Sequence, residues 1–115
     1  MNPGPAKIAR IYLSNTDKFR HMPLYEAIVF AAKRYGLSGA TVLTGVMGYG
    51  STNQIYSKRF WEISEKIPVI VELVDEPEKI DNFLVKIKPW IEASGKGALI
   101  VCNDAETFLS IQGKK

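Results

Sequence analysis

The sequence predicts an α+β fold in which two helices cover one face of a four-stranded sheet. Three observations support this prediction. Four short segments show the apolar or alternating pattern of strands, and two segments between them repeat apolar residues at helical spacing. The 115 residues allow one domain, and a hydrophobic content of 46% is enough for its core. We therefore treat residues 1–115 as a single domain built from two β-α-β units.

The first unit begins with a strand at residues 7–13, which alternate between two faces. A polar and charged connection follows at 14–22. Pro23 suits the first position of a helix, where its missing N–H is not needed, and Gly36 suits the position after the helix end. Apolar residues at helical spacing between these two predict a helix over 23–35.

The centre of the chain predicts two further strands separated by a long excursion. Residues 41–47 are β-branched and apolar, which favours the second strand, and residues 67–74 have the clearest strand pattern of the chain. Residues 50–66 between them fit neither period cleanly. Excursions of this length in compact domains are usually functional or mobile. We therefore expect 50–66 to form a functional loop.

The second unit continues with a helix and a short final strand. Asp75 is suited to cap this helix, with Pro77 in the first turn and Glu78 as the partner in a capping box. Its buried stripe is predicted to comprise Ile80, Phe83, Leu84, Ile87 and Ile91. The apolar run 98–102 predicts the last strand, so we expect Cys102 to be a buried structural thiol. The tail beyond it fits either a strand or a short helix.

With right-handed crossovers, two β-α-β units give the ferredoxin-like βαββαβ arrangement. One face of the sheet, called the open face below, is then free of helices. On the first strand the open face carries Ile8, Arg10 and Tyr12, and on the third strand it carries either Ile70, Glu72 and Val74 or Val69, Val71 and Leu73. Because both alternatives contain large apolar side chains, we expect the open face to be buried in an oligomer.

Composition and charge exclude several classes of protein. A single Cys excludes a disulfide framework and a thiolate zinc finger, and the N-terminus has no apolar signal-peptide core, so we expect a cytoplasmic protein. The uncharged segment 36–57 contains too many glycines and polar residues to span a membrane. The net charge of +3 divides into +6 over residues 1–61 and −3 over 62–115. A broad surface for a polyanion is therefore not predicted.

Catalytic, metal-binding and nucleic-acid-binding functions find little support. His21 is the only histidine and lies in a polar connection, which favours a solvated loop residue over a catalytic base. His and Cys residues form no cluster of metal ligands, and acidic residues at the start of the second helix are explained by the helix dipole. Tyr12 is the only aromatic residue on the predicted central strands, so no stacking platform for RNA is expected.

Two glycine segments are the more informative features. Residues 45–51 lead from the end of the second strand into a loop, and residues 95–97 precede the fourth strand. Glycines let backbone N–H groups approach phosphate oxygens, and Lys96 would add a positive charge. Taken alone, each segment also fits an ordinary bulge or turn. Neither contains the Arg that a phosphate-cradling loop of an acyl phosphatase on this fold would need.

A longer pattern resembles a known prokaryotic family. GATVLTGVMGYG at 39–50, preceded by PLYEAI at 23–28 and followed by IPVIVELVD at 67–75, resembles the family called domain of unknown function 190. The resemblance covers about residues 7–102. It implies a PII-like protein, which is expected to share the trimeric ferredoxin-like architecture of the PII nitrogen-signalling proteins. In those proteins, nucleotides lie in clefts between subunits.

The resemblance also implies site residues. The 48–50 segment is similar to the Gly-Phe-Gly that opens the flexible T-loop of PII proteins, and 95–97 is similar to part of their phosphate-holding B-loop. The fuller B-loop pattern is absent, and Tyr56 replaces a His common among relatives, so magnesium-triphosphate binding and any role of that His are not carried over. The implied ligand contacts are Thr41, Gly48, Tyr49, Gly50, Ser51, Gly95, Lys96 and Gly97, and contacts to an anion or partner are expected from Lys58 and Arg59.

The resulting expectation is a non-enzymatic homotrimer with no resident cofactor. It would bind an adenine nucleotide or similar small anion between subunits, and would report it to a regulated protein partner through the loop at 50–66. We expect neither nucleic acid nor membrane insertion. The alternatives left open by the sequence are a small enzyme on a ferredoxin-like fold and a metal-tolerance trimer of similar architecture.

Overall fold

The computed structural model describes residues 1–50 and 66–114, together with the backbone of Tyr56–Ser57. The elements in chain order are β1 (Gly4–Ser14), β2 (Lys18–Phe19), β3 (Met22–Pro23), α1 (Leu24–Tyr35), β4 (Gly39–Thr44), β5 (Met47–Gly48), β6 (Tyr56–Ser57), β7 (Pro68–Asp75), α2 (Pro77–Ala93) and β8 (Leu99–Thr107). The main sheet has the order β4-β7-β1-β8, with every neighbouring pair antiparallel. The predicted ferredoxin-like fold is therefore confirmed.

The core lies between the sheet and the two helices. Val69, Val71 and Leu73 of β7 are buried against this layer, while Ile70, Glu72 and Val74 are half-buried on the other side. Of the two alternatives that the sequence left open for β7, the open face therefore carries Ile70, Glu72 and Val74. The largest fully buried side chains of the helical layer are Leu24, Ile28, Ile80, Phe83 and Ile87. Their spacing is the helical period read from the sequence.

The open face is apolar with a polar centre. Leu43, Leu99 and Val101 remain 46%, 58% and 41% exposed there. At its centre Arg10 Nε donates to Glu72 Oε2 over 3.0 Å, and Arg10 also donates to Asn103 Oδ1 over 3.0 Å. One guanidinium thus joins the three strands β7, β1 and β8.

Asp75 does not cap α2, contrary to the sequence expectation. The N-cap is Glu76, with no side-chain cap bond, because β7 continues to Asp75 and leaves that carboxylate buried. Asp75 instead accepts from the backbone N–H of Glu76 over 2.6 Å and of Ser38 over 2.8 Å. It therefore connects the turn after α1 to the end of β7.

A surface contact also joins the helices to the sheet. Lys7 Nζ donates to Asp81 Oδ1 over 2.6 Å and so connects β1 with α2. This hydrogen bond raises the pKa of the Lys7 ammonium above its ordinary value.

The structure defines the end of the last strand and corrects the burial predicted for its Cys. The tail beyond 102, which the sequence left open between a strand and a short helix, continues the final strand to Thr107, because the N-terminal extension of β1 provides a partner as far as Gly4. Cys102 is exposed rather than buried, since β8 is an edge strand and its Cys lies outside the cover of the helices. The connection at 14–22 also contains the short β2–β3 hairpin.

The second strand ends earlier than predicted, because the chain turns at Gly45. The Gly45 N–H donates to the Pro68 carbonyl over 2.8 Å, and a Cβ at Gly45 would lie 2.9 Å from Pro68 Cγ. Beyond this close approach, Met47–Gly48 pairs with Tyr56–Ser57 as a separate two-stranded ribbon. Pro68 thereby fixes where the glycine segment leaves the sheet.

We predict that Gly45→Ala lowers the free energy of unfolding by about 1–3 kcal/mol, since the added methyl group overpacks against a rigid proline ring. Gly39→Ala is the matched control, because a Cβ at Gly39 would meet no atom within 4 Å and the Gly39 φ is not positive. Urea denaturation at equal protein concentration measures both. Equal stability of the two variants would contradict the packing argument.

Candidate functional site

The first glycine segment lies at the C-terminal end of β4. Gly48 lies next to Pro68, since a Cβ added at Gly48 would be 3.5 Å from Pro68 Cγ. The Gly48 backbone pairs with that of Tyr56. Tyr49 is 71% exposed and Gly50 is open to solvent. The segment therefore offers backbone groups and one aromatic side chain to an approaching ligand.

The second glycine segment lies between α2 and β8. The C-cap of α2 is Ser94, whose hydroxyl donates to the Ile91 carbonyl over 2.7 Å and accepts from the Lys96 N–H over 3.3 Å. Gly95 then adopts a φ of +70°, which favours glycine. The Lys96 side chain is exposed, and within residues 1–50 and 66–114 it has no ion-pair partner. Its charge is therefore available to an anion.

The register places both segments at the same end of the sheet. Thr44 pairs with Val69 at the end of β4, and Leu99 pairs with Tyr12 at the start of β8. β4 and β8 are, however, the two edges, with β7 and β1 between them. Three strand spacings separate the edges by about 14 Å. One chain therefore aligns the two segments without bringing them together.

Of the five remaining predicted site residues, the structure describes two, and both are exposed. Thr41 is exposed on the open face, opposite Glu72, and lies three residues before the end of β4. Gly97 is exposed just before β8. Ser51, Lys58 and Arg59 lie outside the described residues.

The polar centre of the open face is a feature that sequence reasoning missed as a unit. Arg10 and Glu72 could each be assigned to this face by alternation, but their pairing depends on the register of β1 with β7. An Arg among alternating apolar residues was the available signal. Asn103 could not be added to it, because the sequence left the tail from 103 open between a strand and a short helix.

The described residues show little that could serve metal or nucleophilic chemistry. Among them, no group of three His, Cys, Asp or Glu side chains is arranged to hold a metal ion. His21 is exposed on the β2–β3 turn. In the same part of the chain, no helix has both the length and the apolar character needed to cross a membrane.

The chain has curated relatives that match over most of their length. It is 40% identical over 103 residues to a UPF0166 protein of Aquifex aeolicus, which covers 89% of this chain and 92% of that protein. A UPF0166 protein of Methanocaldococcus jannaschii is 38% identical over 103 residues, covering 90% of this chain and 92% of the relative.

A solved structure of similar fold is CPII of Thiomonas intermedia K12, a nitrogen regulatory PII-like protein bound to ADP, AMP and bicarbonate. The TM-score is 0.68 and the sequence identity 19%, with 92% of this chain and 91% of that chain covered. Because the sequence identity is low, this similarity shows that the two proteins share a fold and nothing more.

The family model DUF190, described as "Uncharacterized ACR, COG1993", matches residues 6–107, which is nearly the whole chain. This range includes both glycine segments and nearly all of the main sheet. The chain therefore belongs to the DUF190 family, with a PII-like fold.

Proposed function

We propose that this chain forms a homotrimeric PII-like regulatory protein of the cytoplasm that binds an adenine nucleotide or a similar small anion between subunits. The observation that carries the proposal is the position of the two glycine segments, at one end of the sheet but on opposite edges. A ligand that uses both segments needs the β4 edge of one subunit and the β8 edge of another.

A cyclic trimer meets this requirement. In a ring of more than two subunits, each contact joins two unlike surfaces, whereas a two-fold dimer joins a surface to itself. Such a ring can bring the β4 edge of each subunit against the β8 edge of the next. The apolar open face supplies the surface for association. The Arg10–Glu72 pair at the centre of that face is suited to fix how neighbouring subunits are aligned with each other.

The chemistry of the segments suits a phosphate or another small anion. Gly50 and Gly97 are exposed and carry no Cβ that would keep a phosphate away from the backbone, and the exposed Lys96 adds an ammonium group without a carboxylate partner in the described part of the chain. Thr41 provides an exposed hydroxyl on the same edge as the first segment, suited to a ribose or base contact. The ADP and AMP bound by the Thiomonas protein support an adenine nucleotide as the ligand class.

Regulation is the finer part of the proposal. The chain between Gly50 and β7 directly follows the first glycine segment, so a ligand held there would bear on residues 50–66. We assign to them the contact with a regulated protein partner, for which the basic pair Lys58 and Arg59 is suited. The ligand would favour the state of this segment that binds it more tightly, and so would change how much of the segment is available to the partner.

We predict that the chain has a mass of about 38 kDa in solution, three times its 12.8 kDa. Val101→Lys, on the open face, should reduce it to the monomer mass, because it buries an unpaired charge in the interface. Val85→Lys is the matched control, since Val85 is 72% exposed on α2 and faces away from the sheet. Sedimentation equilibrium measures all three proteins. A monomeric wild type, or a trimeric Val101→Lys, would overturn the assembly.

We further predict ADP binding by calorimetry that weakens at least about tenfold in Lys96→Ala/Gly97→Val, because one charge-assisted contact and one close backbone approach are lost. Lys88→Ala serves as control, since Lys88 is an exposed cation on α2 outside both segments. The absence of ADP and AMP binding at millimolar concentration would refute the nucleotide proposal. Unchanged affinity in the double variant would remove 95–97 from the site.

A further inference from the structure

A second concave site lies on the helix-covered side of the sheet. It is an open pocket of about 500 Å³, within the usual size range of small-molecule sites. The β2–β3 hairpin, one side of α1 and the end of α2 form its walls. Its lining contains no residue of either glycine segment and includes Phe19, Arg20, Phe30, Arg34 and Trp90.

One wall of this pocket is aromatic. The Phe19 ring stacks on the Trp90 indole, with centroids 4.7 Å apart and planes inclined by 24°. Phe30 contributes a ring that is 51% exposed, a large apolar surface that the described residues leave uncovered. Rigid, partly exposed rings of this kind favour a flat apolar ligand.

The pocket also has an unbalanced positive charge. Arg20 and Arg34 both line it, and no Asp or Glu does. Neither Arg forms an ion pair with a carboxylate of residues 1–50 or 66–114. The Arg20 guanidinium carbon lies 5.1 Å from the centre of the Phe19 ring, so its positive charge is held beside the aromatic wall.

The backbone at Arg20 is strained. Its φ of +58° makes it the one non-glycine residue with positive φ in the described part of the chain. At such a position in a two-residue hairpin turn, Gly or Asn is favoured, and an Arg costs stability. Strained residues of this kind are concentrated at functional sites.

We propose that this pocket binds a small organic anion with a flat aromatic body. The anionic head, a carboxylate or a phosphate, is held by Arg20 and Arg34, whose guanidinium groups bind both kinds of oxyanion. The aromatic body lies against Phe30 and Trp90. The site is separate from the cleft proposed above and does not depend on it.

The test uses naphthalene probes and NMR of the whole chain. The indole N–H signal of Trp90, distinguished from that of Trp61 by Trp61→Phe, reports occupancy. We expect 2-naphthoate, 2-naphthyl phosphate or both to shift it saturably, and comparison of the two identifies the preferred head group. Neutral 2-naphthamide and inorganic phosphate should each bind at least about tenfold more weakly, because each lacks one of the two recognised parts. Equal binding of the amide, or no saturable shift with either anion, would overturn the proposal.

Variants separate binding from folding. Arg20→Asn/Arg34→Gln should weaken the preferred anion at least about tenfold, whereas Lys33→Gln, which removes a neighbouring α1 cation outside the pocket lining, should not. Because Asn tolerates positive φ, Arg20→Asn alone should raise the melting temperature by about 2–4 °C while weakening binding. ADP affinity of the double variant should equal that of the wild type. Unchanged anion affinity in the double variant would refute the assignment.

Discussion

The order of strands in the main sheet is the constraint on which the proposed site of this protein depends. Because β7 and β1 occupy the centre, β4 and β8 become the edges, and the antiparallel register brings the end of β4 and the start of β8 to one end of the sheet. Both glycine segments are therefore presented in the same direction but about 14 Å apart. In the proposed trimer, a shared ligand would lie between the β4 edge of one chain and the β8 edge of the next, which would couple binding to assembly.

The two faces of the sheet differ in how they are stabilised. Between the helix-covered face and the helices, apolar side chains such as Ile11, Val71 and Phe83 are fully buried and supply the hydrophobic stabilisation of the single chain. The open face leaves comparable apolar groups half exposed around Arg10 and Glu72. The proposed association would cover this second face and add to the stabilisation of the single chain.

Local patterns in the sequence predicted the elements but not the contacts between distant ones. The alternation of β7 and the helical spacing of α1, ended by Gly36, are properties of neighbouring residues and could be read directly. The role of Asp75 could not, since a capping residue and a buried strand end look alike until Ser38 is placed beside it. The aromatic pocket likewise depends on Phe19 meeting Trp90 across the fold.

A mixing experiment tests the central claim that the cleft is shared between subunits. Gly50→Asp and Lys96→Glu place an acidic group in one glycine segment each, and homotrimers of either variant should not bind ADP. After the two are co-assembled in equal amounts, about a quarter of the clefts combine an intact 48–50 segment from one subunit with an intact 95–97 segment from the next. Calorimetry should recover that fraction of wild-type sites at wild-type affinity. No recovery in co-assembled trimers would contradict a site shared between chains.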